Sequence, residues 1–200
     1  MRQAANRELF SYWRSLKGFR GAPERNDVDP GAIRAILADV FILEFDLSVG
    51  LPFRIAGTRT NALFGRELRG KPFLDLWRRA DRADIADLAE SCLDGCVPVL
   101  AAGLARPPTQ SGIAVEILFL PLRHHGNTHA RLLGAFAPSA MPRWIGLEEV
   151  DEVEYLTSRV LRDGPLTSTE DDISPLSRLV QDHESIINRR RQLYVISRNL

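Results

Sequence analysis

The chain has 200 residues, 44% of them hydrophobic and 26% charged, the balance of a folded globular protein and not of a disordered tail or a membrane-embedded one. Its 26 basic and 26 acidic residues cancel, so no global field draws it to nucleic acid or to an anionic membrane, and neither partner is expected. No segment approaches the roughly 18 consecutive apolar residues of a membrane span, and MRQAANRELF has no apolar run behind its arginine, which makes a cytoplasmic location the expectation.

In chain order, Leu9, Trp13 and Leu16 fall on one side of a helix over residues 6–17, with Gly18 as its stop. Asp29-Pro30 then reads as a cap and first-turn pair, and Ile33, Ile36 and Leu37 supply the apolar face of a second helix ending near Ala38. VFILEF (40–45) and LPFRIA (51–56) are strand-like runs around the turn DLSVG, a hairpin. Short helices follow, with Thr58 at their start, Ala62, Leu63 and Phe64 inside, and Gly65 and Gly70 as breaks. Ile85, Leu88, Ala89, Cys92 and Leu93 carry the i, i+3, i+4, i+7, i+8 spacing of a helix packed on one side, ended by Gly95.

Three strands are expected next, at 97–105, 113–121 and 131–137, between the breakers RPPTQSG and HHGNTH. Residues 147–162 are acidic early and basic late, which suits a helix dipole, and a final amphipathic helix begins at Ser174-Pro175 and runs through Leu176, Leu179, Val180, Ile186, Ile187 and Leu193. Strands separated from strands by a block of helices predict an α+β fold: a five-stranded antiparallel sheet with helices on one face. The organisation expected is an N-terminal helical segment (1–38), a sheet domain (39–140) and a C-terminal helical extension (141–200).

The segments YWRSLKG (12–18), PERNDVDPGAIRAIL (23–37), FRIAGTRTNALFGRELRGKPFLDLW (53–77), FLPLRH (119–124) and LLGAFAP (132–138) resemble a bacterial PAS-domain family of small stand-alone regulators, which includes motility-control PAS proteins. The most specific block joins Gly57-Thr58-Arg59, Phe64-Gly65-Arg66-Glu67, Gly70 and Leu76-Trp77. The resemblance implies a PAS sheet whose concave face, closed by the short helices and the helix at 82–94, surrounds a small space. It also implies a signalling role in motility, cell cycle or stress, with a small ligand or a protein partner. A ligand-free adaptor or dimerisation module is the alternative, and the terminal helices are the surface expected to pair with a second copy.

By position, Phe53, Ile55, Phe64, Trp77, Phe119 and Phe136 are the candidate lining, and Arg59 and Asn61 the polar groups nearest a ligand. An empty apolar cavity is costly, so the same residues also read as a filled core. No cofactor is expected. The helix at 82–94 lacks the histidine that haem would need, and TRTNALFG lacks the cysteine of a photoactive flavin site. His124, His125 and His129 match no zinc spacing, so no metal is expected, and Cys92 and Cys96 read as free thiols. No nucleophile elbow, P-loop or dinucleotide fingerprint occurs, and no carboxylate pair suggests acid/base work, so an enzyme is not expected and no catalytic residue is assigned. Arg189-Arg190-Arg191 read as a solvated face, and His183 on the last apolar stripe is a weak match to a phosphoacceptor helix.

Overall fold

The computed structural model describes residues 1–161, and the chain divides into two compact units, Met1–Arg162 and Asp163–Leu200. The final helix expected from residue 174, with His183 and Arg189–Arg191, lies outside the described residues. The elements are α1 (Ala4–Lys17), β1 (Val40–Glu44), β2 (Phe53–Ala56), α2 (Thr58–Leu63), α3 (Arg82–Asp94), β3 (Val99–Arg106), β4 (Ile113–His124), β5 (Asn127–Pro138) and β6 (Glu152–Val160). Among the described residues the strands form one antiparallel sheet in the order β2-β1-β5-β4-β3-β6.

Both faces of this sheet are covered, which explains why its central strands carry apolar residues on both sides. In β4, Val115, Ile117 and Phe119 enter one core and Leu118, Leu120 and Leu122 the other. The first core lies under α2, α3 and a 3₁₀ turn at Phe73–Leu76, as the expected single helical face requires. The second is closed by α1, through Leu9, Phe10 and Trp13. The apolar stripe of α1 is thereby engaged on its own sheet.

Local chemistry seats α1 on β4. Glu116, only 5% exposed, accepts the backbone N–H groups of Arg2 (2.8 Å) and Gln3 (2.9 Å), so a strand carboxylate satisfies donors at the helix N-terminus. At the other end Trp13 Nε1 donates to the carbonyl of Pro121 at 2.9 Å. Proline is tolerated inside β4 because β3 pairs with β4 only as far as Phe119, leaving that edge of Pro121 free of a strand.

Two sequence expectations are corrected. Residues 29–38 form successive turns ending in a 3₁₀ turn at Leu37–Asp39, not a helix. Asp29 caps Gly31 locally (Oδ1 to N 2.8 Å), and the bonds from Ala32 N to Asp29 O and from Ile36 N to Ile33 O close three-residue spans. Ile33 and Ile36 are nevertheless buried, because 3₁₀-type turns also bring i and i+3 together. The second correction concerns 147–162, where β6 replaces the expected helix and makes the sheet six-stranded. Val153, Tyr155, Thr157 and Val160 favour extended backbone, and the open edge of β3 offered eight residues of pairing, from Val99 to Arg106.

Candidate functional site

The core between the sheet and its α2–α3 face is built from aromatic rings. β1 supplies Phe41, β2 Phe53, the end of α2 Phe64, the 3₁₀ turn Phe73, the residue after that turn Trp77, β4 Phe119 and β5 Phe136; each is at most 1% exposed. The rings touch in edge or tilted geometry: Phe64–Phe136 centroids lie 5.3 Å apart, Phe41–Phe136 5.4 Å, Phe53–Phe73 and Phe73–Phe119 5.7 Å, and Phe73–Trp77 6.0 Å. Phe41 lies across Gly134 of β5, where any Cβ would overlap its Cζ.

Of the eight candidates, Phe53, Phe64, Trp77, Phe119 and Phe136 are brought together here. Ile55 is not. A bulge pairs Ile42 with Ile55 but Leu43 with Phe53, so Arg54 is extra, Ile55 turns to the α1 side, and its side chain is 42% exposed. Arg59 instead contacts Asp39, with Nη1 2.6 Å from Oδ2, and its side chain is 42% exposed against 3% for its partner. Burial pushes the Asp39 carboxyl above its ordinary range, and the guanidinium only partly opposes this. Asn61 organises the loop after α2, donating to Glu67 Oε2 (3.0 Å) and accepting from Leu68 N (3.2 Å).

Phe41 and Phe73 each touch several of the other rings, yet neither is among the candidates read from the sequence. The Phe73-x-x-Leu76-Trp77 spacing is the signal for the second, while alternation alone does not tell which face of β1 Phe41 takes. Trp77 is held by its backbone and by neighbouring rings. Its N–H meets Leu74 O (3.2 Å), its carbonyl accepts Arg82 Nε (3.1 Å), and its ring lies 6.5 Å from that of Tyr155 on β6. Its indole Nε1 is buried with no acceptor among the described residues.

From Trp77 the chain clasps β6. Arg78 N donates to Val153 O (3.0 Å), Asp81 Oδ2 accepts Tyr155 N (2.9 Å), and Arg78 Nη1 lies 3.2 Å from Glu154 Oε1. Cys92, on the buried side of α3, is held as a neutral thiol, because burial pushes it far above the usual range.

A family model described as the PAS domain matches residues 1–137. The chain belongs to the PAS domain family. Strand β6 lies beyond the matched span. Solved structures similar to this PAS protein include a point variant of RsLOV, at 15% identity over 55% of this chain and 67% of that one, with a TM-score of 0.41. Two structures of VqmA are also similar: a VqmA–ligand–DNA complex from Vibrio cholerae (15%, TM-score 0.41) and a VqmA dimer without its target DNA (14%, 0.42). Each VqmA match covers 56% of this chain and 52% of that one. A search of curated proteins gives no match.

The DNA-bound VqmA receptor overturns one expectation. Exclusion of a nucleic-acid partner on neutral charge does not stand, because net charge is a sum over the whole surface, whereas phosphates are met by a few local basic groups. Among the described residues no helix is long and apolar enough to cross a membrane.

Proposed function

We propose that this PAS protein is a non-enzymatic, cytoplasmic module of bacterial signalling, of the kind that tunes motility, cell cycle or stress responses. A small molecule entering the ring-lined core is the signal, and a protein partner receives it. The observation that carries this reading is the continuity of contact from the core to β6: Phe41, Phe73, Trp77 and Tyr155 touch in series, and Asp81 holds the Tyr155 backbone. A guest that shifts Phe73 or Trp77 therefore acts on the strand that precedes residues 163–200.

The contact distances in the same core favour a second reading, in which the rings are a filled core and the protein is a ligand-free adaptor. Mass spectrometry of the denatured, purified protein, with thermal scans against a panel of small molecules, separates the two. A ligand at ~100 times its dissociation constant adds about 2.7 kcal/mol. A co-purified species or a saturable rise in Tm supports the sensor. A dry core and a flat panel favour the adaptor.

A further inference from the structure

We infer that the guest of this core is small, uncharged and largely apolar, and that it carries one hydrogen-bond acceptor, which Trp77 Nε1 meets. The inference rests on the sensor reading above and names the chemistry of that site. The core is built of aromatic and aliphatic side chains with one cysteine, and the buried polar or charged side chains among the described residues are Asn6, Asp39, Thr60, Glu116 and Glu154. The buried carboxylates among the described residues are engaged elsewhere: Asp39 with Arg59, Glu116 with the start of α1, and Glu154 with Arg78. A charged guest would enter with nothing to pair with, at large desolvation cost.

Trp77 supplies the one specific contact. Its main-chain N–H and C=O have partners, and its ring is held by Phe73 and Tyr155, so the indole is fixed while its donor is unmet. The Cζ3 corner faces β3, 3.4 Å from where a Cβ on Gly103 would lie. Nε1 lies across the bicycle from that corner. A buried donor without an acceptor is unfavourable, and a guest that supplies one recovers that loss. The guest is small because the rings already touch and must be parted to admit it.

The test uses the full chain, ¹⁵N-labelled, and three probes of similar bulk: acetophenone with one acceptor, ethylbenzene with none, and benzoate with a charge. The Trp77 indole N–H signal, assigned by its loss in Trp77→Phe, is followed on titration, and affinities are measured for both proteins. We expect acetophenone to shift that signal and to bind about fivefold more tightly than ethylbenzene, with the preference gone in Trp77→Phe. Benzoate should bind most weakly.

Equal binding of acetophenone and ethylbenzene, a preference unchanged in Trp77→Phe, or benzoate as the tightest probe overturns the inference while the sensor reading stands. No binding by any probe, with no co-purified molecule, overturns both. The Trp13 and Trp144 indole signals report whether Trp77→Phe is folded; if it is not, Trp13→Phe and Trp144→Phe assign the Trp77 signal by elimination and its shift in the unaltered protein decides.

Discussion

At the scale of single residues, Arg59, expected to face a ligand, is instead paired with Asp39. Arg59 acts as counter-charge to a buried carboxylate whose pKa is raised from the ordinary 3.8 chiefly by desolvation. A raised carboxylate takes up a proton more readily folded than unfolded, so its cost is fully present above the folded pKa and is relieved as pH falls towards the unfolded value. Asp39→Asn should therefore be at least as stable as the parent at pH 7, with the difference in Tm fading between the raised pKa and about 4. A clear loss of stability at pH 7 would show that the ion pair outweighs burial. Arg59→Ala leaves the buried charge alone but removes a half-exposed partner, and should cost about 1 kcal/mol, a loss that vanishes in the Asp39→Asn background. Gly134→Ala drives a methyl group into the Phe41 ring and the Leu118 carbonyl, so it should lower stability by about 1–3 kcal/mol in denaturant titrations.

At the scale of elements, α1 and β6 show how one polar group places an otherwise greasy segment. Leu9, Phe10 and Trp13 supply burial for α1, whereas Glu116 determines where along β4 the helix begins. Replacing it with alanine strips acceptors from the Arg2 and Gln3 amides and should destabilise α1 by about 1–2 kcal/mol. Hydrogen exchange then rises in α1 well before it rises in β5; uniform exchange across both would mean that helix and sheet unfold as one unit. In β6 the comparable group is Asp81, which accepts from Tyr155 and covers part of the outer edge of the strand. The acidic residues of the helix-like charge gradient over 147–162 meet partners outside β6 instead, with Glu154 beside Arg78 of the loop before α3 and Glu152 in register with Arg106 of β3.

At the scale of the described unit, the sheet is blunted at both margins. Phe53 N donates to Lys71 O and Gly70 N to Phe53 O along β2, and Arg78–Asp81 occupy part of β6. Strand β6 in turn hides the edge of β3 and, with the segment before it, buries Val150 and Val153 completely. A chain truncated after Gly146 should therefore expose β3 and self-associate, whereas one truncated after Leu161 should not; size exclusion with light scattering compares the two, and equal behaviour would show that β6 is dispensable for covering the core.

Apart from residues 29–38, strand and helix order through residue 138 was legible because period-2 and period-3.6 burial leave local marks, as in VFILEF and in the spacing from Ile85 to Leu93. Of the five candidate residues gathered in one core, Phe53, Phe119 and Phe136 stand on inward positions of strands, while Phe64 and Trp77 follow short helical turns. What the tertiary structure decided was everything that depends on a distant neighbour. A one-residue bulge sent Ile55 to the other face, and a buried aspartate took Arg59. An unpaired strand edge turned 152–160 from helix to strand, because the hydrogen bonds of a sheet are made between segments far apart in sequence, so the β3 edge that captured β6 leaves no mark inside β6 itself.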